Sequence, residues 1–589
     1  MKPPLPPDGD SYVVLEFPFP LLFSSPDRLP PVPIMMLKRN STKAYHSDSS
    51  HSDISCSSTS PLRRLDSKFS LSPDIGSWGT DKLDDYGDEL HRPEDCDRRN
   101  IQYDVNLASW RGLMNLGSLI CVCLGAVILL VGYPVIIYFT SPRYAPIRGW
   151  SNANSTGQTP DVGNLGLIDK DTPAEVYNIP SYKDGREMVL VFSDEFNTDG
   201  RTFYPGDDPY WEAVDLNYWA TNNMEWLDPE AVTTANGSLV ITLSQQQTHG
   251  FNYQSGMIQS WNQFCFTGGY IEANVSLPGL ADVSGLWPAI WTMGNLGRAG
   301  YGASLDGLWP YSYDSCDVGT LHNQTLNGLP EAAADAVSFL PGQRLSRCTC
   351  SGESHPGPIH SDGTFVGRAA PEIDILEAQT TGKQGGGQVS QSAQWAPFNH
   401  GYLWENTTDN LYIADPAVSF LNPFIGGILQ QSTSVVTQTN QNCYEGGTGC
   451  FSVYGFEYVP GFDNAYISWV SNGKLAWTLL SAGMGPDPLV EISARPVSQE
   501  PMYIIINLGI SESFGFVDLD HLPFPVHLKV DYIRVYQPRG EENIGCDPPG
   551  FPTQAYINQY RDAYSNPNLT SWVDDYHQTI PRNNLLTQC

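Results

Sequence analysis

Positive charge is in short supply in this chain. Its 589 residues hold 31 Lys and Arg against 64 Asp and Glu, a formal net charge of −33, and charged residues of all kinds reach only 16%. The deficit is uneven, because residues 1–111 carry 13 basic and 17 acidic side chains while the remainder carries 18 and 47. So acidic a surface repels a phosphate backbone, which argues against nucleic acid as a partner; a neutral polysaccharide meets no such barrier. Acidity that merely keeps a secreted domain soluble is an equally good account. Sustained helical periodicity is also missing, and so are paired C-x₂-C spacings and clustered His beyond residue 140, so neither a metal nor any other cofactor is expected. The opening residues lack the apolar stretch of a cleavable signal peptide: Met1–Pro7 is proline-rich, and Tyr12–Phe23 is interrupted by Pro18 and Pro20.

One long apolar run does occur. From Leu116 to Phe139 no charge interrupts the chain, and about 20 apolar residues suffice to cross a bilayer. Trp110, Tyr138 and Tyr144 stand where interfacial aromatics are expected. Arg92, Arg98, Arg99 and Arg111 precede the run and only Arg143 and Arg148 follow closely, so the basic excess places the N-terminus in the cytosol. The expectation is a type II signal anchor at 112–140, tethering the protein to a membrane of the secretory pathway (endoplasmic reticulum, Golgi or plasma membrane) with the larger part lumenal or extracellular. Residues 1–111, rich in Ser, Asp and Pro, are expected to form a disordered cytosolic tail.

Two further patterns agree with that topology. Asn154, Asn236, Asn274, Asn323, Asn406 and Asn568 all stand in Asn-x-Ser/Thr sequons beyond the span and are candidate glycosylation sites. Eight cysteines also lie there, an even number that suggests up to four disulfides of undetermined pairing in an oxidising compartment.

Past a lumenal stem at 141–185, the texture becomes short alternating apolar runs such as GSLVITL, AYISWV and YIIINLGI, bounded by Gly, Pro, Asn or Asp. That is the pattern of an antiparallel sandwich or barrel, expected over 186–540 with a strand-poor insertion at 294–370 and a C-terminal extension at 541–589.

Within it, Pro371–Gln379 reads PEIDILEAQ. Strand alternation puts Glu372 and Asp374 on one face, and Glu377 joins them only if a β-bulge near Ile375–Leu376 inserts one extra residue. Two carboxyls about 5–5.5 Å apart are what retaining glycoside hydrolysis needs, and three crowded acids push at least one pKa up. A solvated strand edge or a calcium site would use the same residues. The setting favours carbohydrate: Trp261, Trp287 and Trp291 lie ahead, Gln394 and Trp395 behind, and sugar faces stack on Trp while amides bond hydroxyls. Trp287, Trp291, Gln394 and Trp395 are therefore the candidate substrate-binding residues.

At these residues the chain resembles glycoside hydrolase family 16. Glu372-Ile-Asp374-Ile-Leu-Glu377 matches the family signature in its bulged form, with Ser193–Phe196 (SDEF), Leu286–Trp291 (LWPAIW) and Val530–Gln537 (VDYIRVYQ) in support. More closely, residues 100–589 are similar to the fungal membrane proteins associated with β-1,6-glucan synthesis in that family, including the segment Asn566–Trp572. The resemblance implies an all-β, concanavalin-like β-jelly-roll sandwich and a retaining mechanism acting on a β-glucan polysaccharide. It also implies Glu372 as nucleophile, Glu377 as acid/base and Asp374 as the residue that tunes them. Where many members carry a His on the following strand, this chain has Gln394, a departure that also admits a non-catalytic glucan-binding assembly factor.

Overall fold

The computed structural model describes residues 166–589 apart from 332–337, 339, 383–384 and 399–401. The expected tail, the membrane span and Asn154 lie outside the described residues. Among the described residues no helix is long and apolar enough to cross a membrane.

Short β-branched and aromatic runs closed by turn residues pair here as two large sheets. One is eight-stranded, in the order Ser419–Leu421, Gln431–Gln438, Gly387–Trp395, Glu372–Thr380, Leu286–Gly294, Met502–Ile510, Met257–Gln259, Glu212–Ala213. The other is ten-stranded and centres on Val526–Pro538, Gly269–Ser276 and Ser452–Val459. Every strand pair within them is antiparallel. Alternate side chains of both sheets meet in one apolar core, with Ile290, Ile373 and Ile504 from the first and Ile271, Phe456 and Trp469 from the second. The domain is all-β and jelly-roll-like.

The SDEF and VDYIRVYQ motifs brace the sandwich. Glu195 of SDEF receives both guanidinium arms of Arg534 from VDYIRVYQ at 2.9 and 2.8 Å, a bidentate pair that locks Glu187–Asp194 against its neighbour. The stem ends earlier than expected. Asn178–Pro180 already pairs with Glu187–Asp194, and the Asp169 backbone N–H donates to Ser193, so residues 166–185 belong to the sandwich. Three-residue strands ending in Pro carry too little periodicity to be recognised.

Eight cysteines form four disulfides: Cys265–Cys546, Cys316–Cys348, Cys350–Cys589 and Cys443–Cys450. Two of them tie the C-terminal extension to the body. Its helical turns Gln554–Gln559 and Arg561–Ser565 pack, with Trp572, into a second apolar cluster on the outer face of the eight-stranded sheet. The described residues of the insertion hold the short helix Gly302–Leu305 and the 3-10 turns Val318–Thr320 and His322–Gln324.

Candidate active site

The acid strand is bulged where alternation required it. Asp374 pairs with Ser392 and Glu377 with Ser390, so two residues, Ile375 and Leu376, stand opposite Gln391 alone. On the other flank Trp291 pairs with Asp374 and Ile290 with Leu376, which makes Ile375 the extra residue. Both bulge side chains are fully buried in the core, and the alternation is reset so that Glu372, Asp374 and Glu377 share the outer face. A bulge strips carbonyls of ladder partners, and buried carbonyls need them. Two side chains on the core side supply them: the Trp469 indole donates to the Asp374 carbonyl at 2.9 Å, and Gln391 Nε2 to the Ile375 carbonyl at 2.8 Å.

Each carboxyl has its own donors. Trp309 Nε1 donates to Glu372 at 2.5 Å and Trp287 Nε1 to Glu377 at 3.1 Å. Asp374 accepts from Ser392 Oγ at 2.6 Å and Gln394 Nε2 at 3.1 Å, and it is hydrogen-bonded to Glu372. Asp374 is only 1% exposed, whereas both glutamates are half-buried and within reach of a ligand. Burial is the main reason all three protons are held tightly. It lifts Asp374 to about 6 despite its donors. Together with the neighbouring Asp374 charge, it lifts Glu377 to about 8. Glu372 is pushed well above the usual carboxylate range by burial, then by Asp374 and Glu377. At neutral pH the trio cannot carry three charges.

That has a consequence for stability. Glu377 titrates near 4.5 when unhindered and near 8 here, so its proton is held more tightly in the folded state. Stability is then full below the lower value and falls as pH rises across the window between the two. Glu377→Gln removes this loss. Its melting temperature should match the parent near pH 4 and exceed it by several degrees near pH 8; an equal difference at both pH values would contradict the assignment.

The candidate substrate residues separate. Trp287 holds Glu377 and stacks face to face on Phe514, with ring centroids 4.2 Å apart. Trp291 lies beside Asp374, largely buried, donating to Asn507 at 2.8 Å. Gln394 holds Asp374. Trp395 is a correction: it is 2% exposed in the core between the sheets, with its indole on Thr433. As the neighbour of Gln394 in a regular strand it must face the other way. Trp261 stacks on Tyr564 under the C-terminal extension.

Trp309, Ser392 and Tyr218 were missed. Tyr218 lies close enough to Glu372 and Asp374 for their charges, after burial, to raise its pKa. Ser392 could have been found from its place two residues before Gln394, on the same face. Trp309 and Tyr218 come from distant loops and left no local signal. Among the described residues no group of three or more metal-type ligands is arranged to hold an ion.

Two stacked antiparallel sheets with a bulged acid strand on an outer face define a glycoside hydrolase-like, jelly-roll class of domain. Within that class, the chain belongs to the family described as beta-glucan synthesis-associated protein SKN1/KRE6/Sbg1, which matches residues 78–589. It is 40% identical over 515 residues to the "Beta-glucan synthesis-associated protein KRE6" of Saccharomyces cerevisiae, covering 86% of this chain and 68% of that protein. It is 39% identical over 564 residues to the protein of the same name in Candida albicans, covering 93% and 73%. Among solved structures, the catalytic domain of a Thermotoga petrophila endo-1,3-beta-glucanase (laminarinase) is similar at 19% identity, covering 60% of this chain and 100% of that one, with a TM-score of 0.34. A score that low carries no conclusion, and the fold stands on the sheets themselves.

Proposed function

We propose that this protein is a retaining β-glucan glycosidase or transglycosylase acting in cell-wall β-1,6-glucan biosynthesis. The observation that carries the reading is the bulge, which turns two half-buried glutamates and the aspartate between them onto one face. Ser392 and Gln394 donate to Asp374, so the proton shared by Glu372 and Asp374 rests on Glu372 in the free site. Moving it to Asp374 leaves Glu372 as a carboxylate braced by the Trp309 N–H. Glu372 then attacks the anomeric carbon while Glu377, protonated below about 8, gives its proton to the departing glycosidic oxygen. In the second half Glu377 takes a proton from water or a sugar hydroxyl, whose oxygen attacks the same carbon and releases Glu372. Water gives hydrolysis; a sugar gives transfer.

Proton NMR of the first product formed from β-gluco-oligosaccharides tests this directly. The β-anomer should appear first, and an α-anomer would sink the retaining mechanism. One observation favours a second reading: Gln394 donates to Asp374 but cannot titrate, so the strand lacks the imidazole that the family resemblance implies there. Oligosaccharide binding without turnover, insensitive to Glu→Gln changes, would support a non-catalytic glucan-binding assembly factor of the secretory pathway.

The same proposal places the domain on the lumenal or extracellular side of a type II anchor at 112–140. Four disulfides support an oxidising compartment. Asn236, Asn406 and Asn568 are exposed, as glycan acceptors must be. Asn323 is half-buried, and Asn274 is half-buried in the central strand Gly269–Ser276 with its amide on Asp531, so their modification would cost local contacts.

A further inference from the structure

A polar strip of the acid face stays open just beyond Glu377. Gln379 stands two residues further along the same strand, on the same face, about 6–7 Å away at the usual strand rise. Gln388 pairs with Gln379 across the ladder, as Ser390 pairs with Glu377. Both glutamines are half-buried, and neither amide meets a hydrogen-bond partner among the described residues. Beside Glu372 and Asp374 no such capacity is left. Ser392 and Gln394 are buried there and donate to Asp374, and Gln394 Oε1 already accepts from Gln430 Nε2 at 3.2 Å.

A loop reaches over the open strip. Ser511–Val517 follows the strand Met502–Ile510 and is pinned at both ends. Ser511 Oγ donates to the Thr221 carbonyl at 2.5 Å, and Asn222 Nδ2 donates to Ser513 Oγ at 3.1 Å. Val517 is buried in the core, where a Cβ on Gly285 would meet its Cα at 2.9 Å. Between these anchors the Phe514 ring lies on Trp287, whose indole N–H holds Glu377. Gly515 then passes beside Gln379, since a Cβ there would come to 3.5 Å from Gln379 Oε1. Phe516 follows, and its ring is 75% exposed. A lone exposed apolar side chain is ordinary. This one is held in water by a loop fixed on either side, one residue from the strip.

The chemistry at Glu377 says which group would lie there. That carboxyl gives its proton to the departing glycosidic oxygen and later takes one from the incoming hydroxyl, so both groups sit on its side of the reacting carbon. Open amides bond sugar hydroxyls, and an apolar ring covers the C–H face of a pyranose. Water uses neither. We propose that Phe516, Gln379 and Gln388 form an acceptor subsite for a glucan chain, so that a sugar hydroxyl outcompetes water in the second half-reaction. The acceptor hydroxyl gives its proton to Glu377, its oxygen bonds the anomeric carbon, and the ester bond to Glu372 breaks. This rests on the glycosidase or transglycosylase reading and decides it for transfer.

The test follows the glycosyl unit in the purified full-length chain, with a β-gluco-oligosaccharide as donor and a labelled one as acceptor. The parent should lengthen the labelled acceptor in preference to releasing free sugar. Phe516→Ala should lower the ratio of transfer to hydrolysis by about tenfold, the size of one lost aromatic contact. Phe516→Trp keeps an aromatic face and should hold most of the parent ratio; a ratio as low as that of Phe516→Ala would refute stacking. The exposed ring makes either change without entering the core. An unchanged ratio in Phe516→Ala, or a parent that hydrolyses without lengthening the acceptor, would overturn the acceptor subsite and leave the glycosidase reading standing. No turnover of any oligosaccharide by the parent would overturn both.

Discussion

Glu377→Gln is expected to lower turnover of β-glucan oligosaccharides by about 10²–10⁴-fold, the usual contribution of general acid–base catalysis. Glu372→Gln should remove the covalent route altogether. The two losses have different signatures because the two groups do different work. A substrate whose leaving group departs without protonation, such as an aryl glycoside of a strongly acidic phenol, should restore glycosylation in the Glu377 variant but not in the Glu372 variant. Neither change should unfold the protein. Both side chains are half-buried on an outer face, and amides can still accept from Trp287 and Trp309. Wild-type rates in either variant, measured with the same labelled oligosaccharides, would remove catalysis from this strand.

The bulge shows how far a sequence can be read. EIDILE already demanded an extra residue near Ile375–Leu376 if three acids were to serve one site, because period-two alternation leaves no other way for Glu377 to join Glu372. The ladder has that extra residue, Ile375. The partners that hold the bulge open were not readable: Trp469 reaches across the core from the other sheet, and its link to the Asp374 carbonyl exists only once both sheets are stacked. The same holds for Trp309, which arrives on Glu372 from a strand-poor insertion. The error at Trp395 is of another kind. The alternation that places Gln394 with the acids turns its neighbour inward, and aromatic composition carries no sign of that facing. Strands as long as Met502–Ile510 declared themselves by β-branched content, while Asn178–Pro180 could not.

Arg368→Ala is expected to destabilise the domain by about 3–5 kcal/mol, the cost of stranding one member of a buried ion pair. Arg368 is fully buried, and its Nε and Nη2 both meet the Glu500 carboxylate at 2.8 Å. Its remaining arm donates to the carbonyls of Gly357 at 2.7 Å and Pro552 at 2.8 Å. Four segments therefore converge on one guanidinium: the insertion, the residues leading into the acid strand, those leading into Met502–Ile510, and the start of the C-terminal extension. Truncation would leave Glu500 buried with the Ala369 N–H still donating to it and would free two carbonyls of their partner. If the loss is mainly that stranded charge, Arg368→Met combined with Glu500→Leu should cost clearly less than the sum of the two single changes, a coupling readable by urea denaturation. Strict additivity would mean that the pair acts through packing alone. Because Arg368 stands four residues before Glu372, the same variant should lose activity at temperatures where the fold still holds, as the acid strand shifts against its neighbours. Unchanged stability in Arg368→Ala would show that the disulfides and the apolar cluster keep insertion and extension in place without this ion pair.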